Sequence, residues 1–313
     1  MAETNVQSIK FQNADMYWEI AADLYFPADF DESAKYPTIV AAHPIGSCKE
    51  QTSGNVYGTA LADAGFVVIA FDASFQGESG GTPRRLEDPN QRVEDFSRVV
   101  DYLVTLPYVD ADRIGVLGVC GGGGYAWATA KTEKRFKAVA SMTGVNWGRL
   151  SRDNAAFAGG PLAVLKAVAE TRTAEARGEA EGSVNGALPP SAEVAEQIGD
   201  IDVIEAYDYY CTPRAQHPNG TATFDNAHGA TVIGWDAFHL ADVLLDQPLL
   251  VVIGDKKGAF GAYGDGQEIY ERAASKDKQL LVLEGVSHYD LYDQPNGAGE
   301  ALKTAIPFFQ KHL

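Results

Sequence analysis

The chain has 313 residues, 45% of them hydrophobic, enough for one large α/β domain or one domain carrying a sizeable insertion. Its formal net charge of −18, with no Lys/Arg cluster to interrupt it, excludes nucleic acid as a partner, since a phosphate backbone would be repelled. No run of eighteen apolar residues argues for a membrane span, and the polar start MAETNVQSIK lacks the basic-then-apolar order of a secretory signal, so a cytoplasmic protein is expected.

In chain order, Met16 to Tyr25 (MYWEIAADLY) reads as an antiparallel edge strand ending at Pro27. YPTIVAAHP follows, an apolar run closing at His43 and Pro44 that suits a strand buried on both faces. A helix near Gly54 to Ala64, the strand FVVIAFD to Asp72, and a Gly-rich loop Gln76 to Gly81 come next. Val99, Val100, Leu103 and Val104 recur at helical spacing and place a helix over 93–106. The strand RIGVLGV then runs into CGGGGYAWATA, and KAVASMTG is the next strand.

After that the βαβ rhythm of a mostly parallel sheet stops for about a hundred residues, too many for a structureless loop inside a compact domain. Residues 145–247 are therefore expected to form a mainly helical cap, inserted between core segments 1–144 and 248–313. The sheet resumes with PLLVVIGD, a helix near Gln267 to Ala274, the strand KQLLVLEG and a closing amphipathic helix over 299–312.

Gly118-Val119-Cys120-Gly121-Gly122 is a G-x-C-x-G at a strand-to-helix junction, the nucleophile-elbow pattern with cysteine in the serine position. The rival reading, a dinucleotide-binding glycine loop, needs the first strand of the sheet and an acid at the tip of the next; this run follows several strands, and the next ends in SMTG. A helix N-terminus aimed at the sulfur is expected to lower the thiol pKa toward neutrality. The base should follow the last strand, where LVLEGVSHYDLYD supplies His288. The orienting acid should follow the strand before it: Asp255 is the choice, with Asp265 or a cap acid as alternatives. Oxyanion donors are expected at the amides of Gly121 and Ile45, because Pro44 has no N–H. His43 reads as a loop-shaping residue, and Asp72 as a buttress for neighbouring loops. Trp147, Tyr210 and Trp235 are candidate pocket walls within the cap, although each could equally be ordinary packing. Cys48, Cys120 and Cys211 are too scattered for a disulfide framework or a zinc site, and neither metal nor organic cofactor is implied.

The stretches HPIGSCKEQ, FDASFQGESGGTPRRLED, VDADRIGVLGVCGGGGYA and SHYDLYD together resemble the dienelactone-hydrolase-related α/β hydrolases, and more closely the YcjY-like subgroup that includes fungal polyketide-processing transferases and hydrolases. The resemblance implies an α/β-hydrolase fold, a Cys120 nucleophile, a His288 base and acyl or lactone chemistry. The expected activity is hydrolysis of an ester, thioester or lactone through an acyl-cysteine. Acyl transfer to an alcohol or amine, or a catalytically silent ligand-binding scaffold, are the alternatives. The expected partner is a small-molecule acyl substrate, and a homodimer is open to such a chain.

Overall fold

In the computed structural model, which describes residues 5–180, 184–186, 188–225 and 227–313, ten strands alternate with helices. The strands are β1 (Asn5–Phe11), β2 (Ile20–Phe26), β3 (Tyr36–Ala42), β4 (Val67–Phe71), β5 (Val109–Val119), β6 (Phe136–Met142), β7 (Val184–Gly186), β8 (Thr223–Asp225), β9 (Leu249–Gly254) and β10 (Lys278–Leu283). Eight of them form one sheet in the order β1-β2-β4-β3-β5-β6-β9-β10. β1 to β2 and β2 to β4 pair antiparallel, and every other neighbouring pair is parallel. This is the α/β-hydrolase fold.

The sheet centre follows from residue choice. β4 is VVIAF and β9 LLVVIG, every residue buried, because helices cover both faces and leave no side for polar alternation. Two apolar clusters, one per face, bracket the sheet. The true edge is β1, which the sequence reading missed: its NVQSIKF is almost wholly exposed, so no periodic burial marks it, while the expected edge Met16–Tyr25 contributes the second strand, β2. The helix expected over 93–106 runs Pro89–Leu103, started by Asp88, whose carboxylate accepts from the N–H groups of Asn90 and Gln91. Such a cap contributes about 1 kcal/mol.

Between β6 and β9 the chain leaves the sheet. It forms the helices Trp147–Ala155, Pro161–Ala176, Ala192–Ile198 and Ile201–Cys211, and also an antiparallel ribbon of β7 and β8 that no sequence signal announced. Residues 181–183, 187 and 226 of this segment, and residues 1–4 of the polar N-terminus, lie outside the described residues. Among the described residues no helix is long and apolar enough to cross a membrane.

Candidate active site

β5 ends at Val119 and the helix Gly121–Ala130 starts at Gly121, so Cys120 alone makes the turn, at φ 54° and ψ −124°. A non-glycine residue there is strained, and the strain is accommodated by its neighbours. A Cβ on Gly118 would run into the carbonyl of Gly122, and one on Gly122 would lie 2.5 Å from the carbonyl oxygen of Ala42. The sulfur therefore emerges at the C-terminal edge of the sheet, within hydrogen-bonding reach of the Gly121 and Ile45 amides and the Tyr292 hydroxyl. The Ile45 loop is fixed from below by His43. Its Nδ1 donates to the Pro44 carbonyl at 2.7 Å, while Nε2 accepts from the Ala73 amide at 3.1 Å and Arg92 at 2.9 Å.

His288 enters from the loop after β10. Its Nδ1 lies 2.7 Å from Thr143 Oγ1 and its Nε2 3.3 Å from the Tyr292 hydroxyl. No direct hydrogen bond joins Nε2 to the sulfur among the described residues; Tyr292 stands between them, in reach of both. Burial pushes the Cys120 thiol up to about 11, with Asp202 nearby adding to it, against the lowering effects of Tyr292, Gly121 and Ile45. Burial also pushes His288 down to about 3. The expectation of a thiol lowered toward neutrality is thus corrected: desolvation outweighs the helix N-terminus, and the resting pair is neutral thiol and neutral imidazole.

The acid expected at Asp255 is corrected as well. Asp255 is exposed and its carboxylate accepts the Gly285 amide at 2.7 Å, bracing a surface turn; among the described residues no hydrogen bond or ion pair joins it to His288. Backbone bonds from Asp255 to Leu283 and from Lys256 to Val286 continue the β9–β10 ladder past Gly254, which holds that side chain outward. Asp265, the first alternative, is held in a bidentate pair by Arg149 at 2.8 and 2.7 Å and accepts the Asn146 amide, tying the inserted segment to the core. The position beside His288 is taken by Thr143, which sequence reasoning passed over. The one signal was a Thr-Gly ending the strand next to the elbow. Thr143 sits at φ 47°, and its amide donates to Val252 at 2.7 Å, which holds it in that strained conformation.

Asp202, on the helix Ile201–Cys211, is a buried cap acid. One oxygen accepts the Phe260 amide at 2.8 Å; the other has no partner among the described residues. Burial pushes its carboxyl up to about 7 from 3.8, with Asp200 and Glu205 adding to the rise. A raised carboxyl pKa means that the folded state holds the proton more firmly. This stabilisation is full below the unfolded value and is lost as pH rises from about 4 through about 7. Asp202→Asn is accordingly expected to raise Tm relative to wild type at pH 8, by an effect of up to about 4 kcal/mol, and to lose that advantage near pH 4.5. A Tm difference independent of pH would show that Asp202 is not a buried proton holder.

Of the candidate pocket walls, Tyr210 lies near enough to Cys120 for charge on the sulfur to raise its phenol, in a cluster with Tyr209, Tyr289 and Tyr292. Trp147 lines a cavity of about 450 Å³ with Phe224, Val164, Val168, Val232 and Ile233. Trp235 does not reach it: its ring packs on Tyr125 at 5.0 Å and borders a different cavity with Ala128 and His239, so its apolar surface is spent on the back of the elbow helix. Asp72 accepts the amides of Lys49 and Glu78, both at 2.8 Å, joining two loops. Cys48, scattered in sequence, meets His217 at 3.3 Å and Glu50, a set with metal-ligating atoms within 4.8 Å of one another. Beside it the Lys49 ammonium pairs with Glu50 and, at 2.8 Å, Glu78, so the carboxylates there already have a cation.

The family described as X-Pro dipeptidyl-peptidase (S15 family) matches residues 18–199. The YcjY protein of Escherichia coli K12 is 41% identical over 300 residues, 94% of each chain. The crystal structure of the PA2218 protein from Pseudomonas aeruginosa superposes with a TM-score of 0.82 at 28% identity, covering 100% of this chain and 95% of that one. The α/β hydrolase GrgF from Penicillium superposes with a TM-score of 0.76 at 18% identity, over 98% and 99%, a likeness of fold.

Proposed function

The chain belongs to the family of α/β hydrolases described as X-Pro dipeptidyl-peptidase (S15 family), together with YcjY, and from that premise we propose that it cleaves an ester, thioester or lactone through an acyl intermediate on Cys120. The observation that carries this reading is the convergence of the Ile45 and Gly121 amides on the sulfur of an elbow cysteine. In the resting enzyme those amides face the sulfur. When a substrate carbonyl arrives, its oxygen accepts from the amides, which stabilise the charge that forms there.

Attack needs the thiol proton to leave as the S–C bond forms. Neutral His288 takes it at Nε2, either directly or through Tyr292, whose hydroxyl gives its proton to Nε2 while receiving that of the sulfur. For Nε2 to accept, Nδ1 carries a hydrogen, and Thr143 Oγ1 accepts it at 2.7 Å. The oxyanion collapses, the bond to the alkoxide or thiolate breaks, and imidazolium His288 protonates the leaving group. Water, deprotonated by the same Nε2, then releases the acid and restores the thiol. Residues 145–247 act as the cap, with Tyr210 close enough for charge on Cys120 to act on it and the cavity bounded by Trp147 and Phe224 as room for an apolar acyl group. The protein works in the cytoplasm, where glutathione keeps a free thiol reduced.

The test is a mass measurement. Brief incubation with p-nitrophenyl butyrate and acid quench is expected to add one butyryl group, mapped to the peptide carrying Cys120. Acylation confined to the exposed Cys211, with turnover intact in Cys120→Ala, would overturn the assignment. Added alcohol or amine separates hydrolysis from transfer by the product formed.

A further inference from the structure

We infer that a second cavity, beside the oxyanion loop, binds an anionic group of the substrate, a carboxylate or a phosphate. The inference rests on the acyl-hydrolase reading above, and deepens it by naming the substrate class. The cavity has a volume of about 220 Å³ and is walled by Gly46, Gly77, Arg84, Arg85, Asn219 and Thr223 among others. Gly46 follows Ile45, whose amide faces the sulfur, so one wall of the cavity is the continuation of the oxyanion loop.

Charge singles this cavity out. The chain carries 43 acidic residues against 25 Lys and Arg, yet no Asp or Glu lines this space and two arginines do. Neither arginine has a carboxylate partner among the described residues, whereas most other arginines of the chain, including Arg92, Arg135, Arg149 and Arg214, are paired. Arg84 spends two donors on the carbonyls of Ser79 and, at 2.6 Å, Gly77, which fixes its guanidinium at the rim. Burial lowers its pKa, the Asp72 charge offsets part of that, and the neighbouring charge of Arg85 lowers it again.

Arg85 makes no side-chain hydrogen bond among the described residues, and its backbone is held at φ 64°. Its amide donates to Phe75 at 2.8 Å and its carbonyl accepts from Asp225 at 2.9 Å. A left-handed arginine pinned on both sides is an unfavourable conformation that presents a free, planar fork of donors. Asp72, whose charge reaches Arg84, lies behind Gly77 with its oxygens occupied by the Lys49 and Glu78 amides and the Lys49 ammonium 3.9 Å away. In an acidic protein, two guanidiniums without a carboxylate partner in a cavity beside the oxyanion loop select for charge in the substrate.

The variant to use is Arg85→Gln, because Arg85 supports nothing else through its side chain, while Arg84 anchors a loop. Two ester pairs are compared at low ionic strength. The p-nitrophenyl half-ester of glutarate against p-nitrophenyl butyrate places the charge on the acyl side. The butyryl thioester of mercaptopropionate against that of propanethiol places it on the leaving group. One charged member is expected to exceed its neutral partner about tenfold in kcat/KM, the scale of one charge-assisted pairing. Arg85→Gln should abolish that preference through KM, with neutral substrates changed less than twofold, and added salt should weaken it in wild type. Equal rates within both pairs, or a preference untouched by Arg85→Gln, would overturn the proposal. Binding of glutarate and of inorganic phosphate, measured by calorimetry on wild type and Arg85→Gln, separates the two anions without using activity. If no ester is turned over but an anion binds and is lost in the variant, the hydrolase reading fails and the site stands. If neither anion binds and neither pair discriminates, the site fails alone.

Discussion

His288→Ala is expected to lower kcat for ester hydrolysis by on the order of 10³- to 10⁴-fold while leaving KM within a factor of about three, the pattern of a group used in the transition state only. Cys120→Ala should fall at least as far. The reason is the neutral resting pair. A thiol pushed up to about 11 supplies almost no thiolate at pH 7, so the reaction depends on proton removal at the moment of attack, and His288 is the base placed for it. The same values predict a pH profile. The imidazole, pushed down to about 3, stays unprotonated and competent through the mildly acidic range, and the thiol stays protonated until about 11. kcat/KM should therefore be flat from about pH 5 to about 9, with no inflection near 6.5 belonging to His288. Asp202, with a carboxyl near 7 and close enough for its charge to act on the thiol, can impose a shallow step in that window, and Asp202→Asn removes it. A steep acid limb near 6.5 that disappears in His288→Ala would mean an ion pair, and the mechanism would have to start from a preformed thiolate.

The elbow was legible because it is a local device: small residues two before and two after a strained turn are written in consecutive letters, and Gly118 and Gly122 meet contacts that admit no Cβ. The buried strands β3 to β6 were legible for a similar reason, since a strand covered on both faces spells its burial directly. His288 followed from chain order. Asp255 misled because chain order names a position and not a direction, and two further ladder bonds past Gly254 hold that side chain at the surface. The thiol pKa misled because burial by tyrosines more than 80 positions away in the chain (Tyr209, Tyr210), or more than 160 (Tyr289, Tyr292), leaves no local trace around Cys120. The unpaired arginines had the same fate: RR in GTPRRLED looks like an ordinary basic pair until the fold shows which carboxylates fail to reach it.

Thr143→Val carries the most specific prediction of the mechanism. The two side chains have the same branched shape, and the same backbone hydrogen bond to Val252 would hold either of them at the left-handed φ of 47°, so the substitution chiefly deletes the hydroxyl. Thr143 buttresses the imidazole without giving it charge. A carboxylate there would both orient the ring and stabilise the imidazolium; a hydroxyl orients it only, which leaves a weak base. On the proposed mechanism a weak base suits a nucleophile that surrenders its proton more readily than an alcohol does, which would account for cysteine in a position where serine is the usual occupant. Thr143→Val is expected to lower kcat about 30- to 100-fold with KM nearly unchanged, and Thr143→Ser to recover most of it. Cys120→Ser, with the base unaltered, should lose on the order of 10³-fold or more, because His288 cannot ionise an alcohol from its present surroundings. In a His288→Ala background Thr143→Val should have no further effect, since a hydroxyl that works through the ring has nothing left to orient. Additive losses in that double variant, with Tm falling in parallel, would reduce Thr143 to a packing residue and return the search for the orienting group to Asp202.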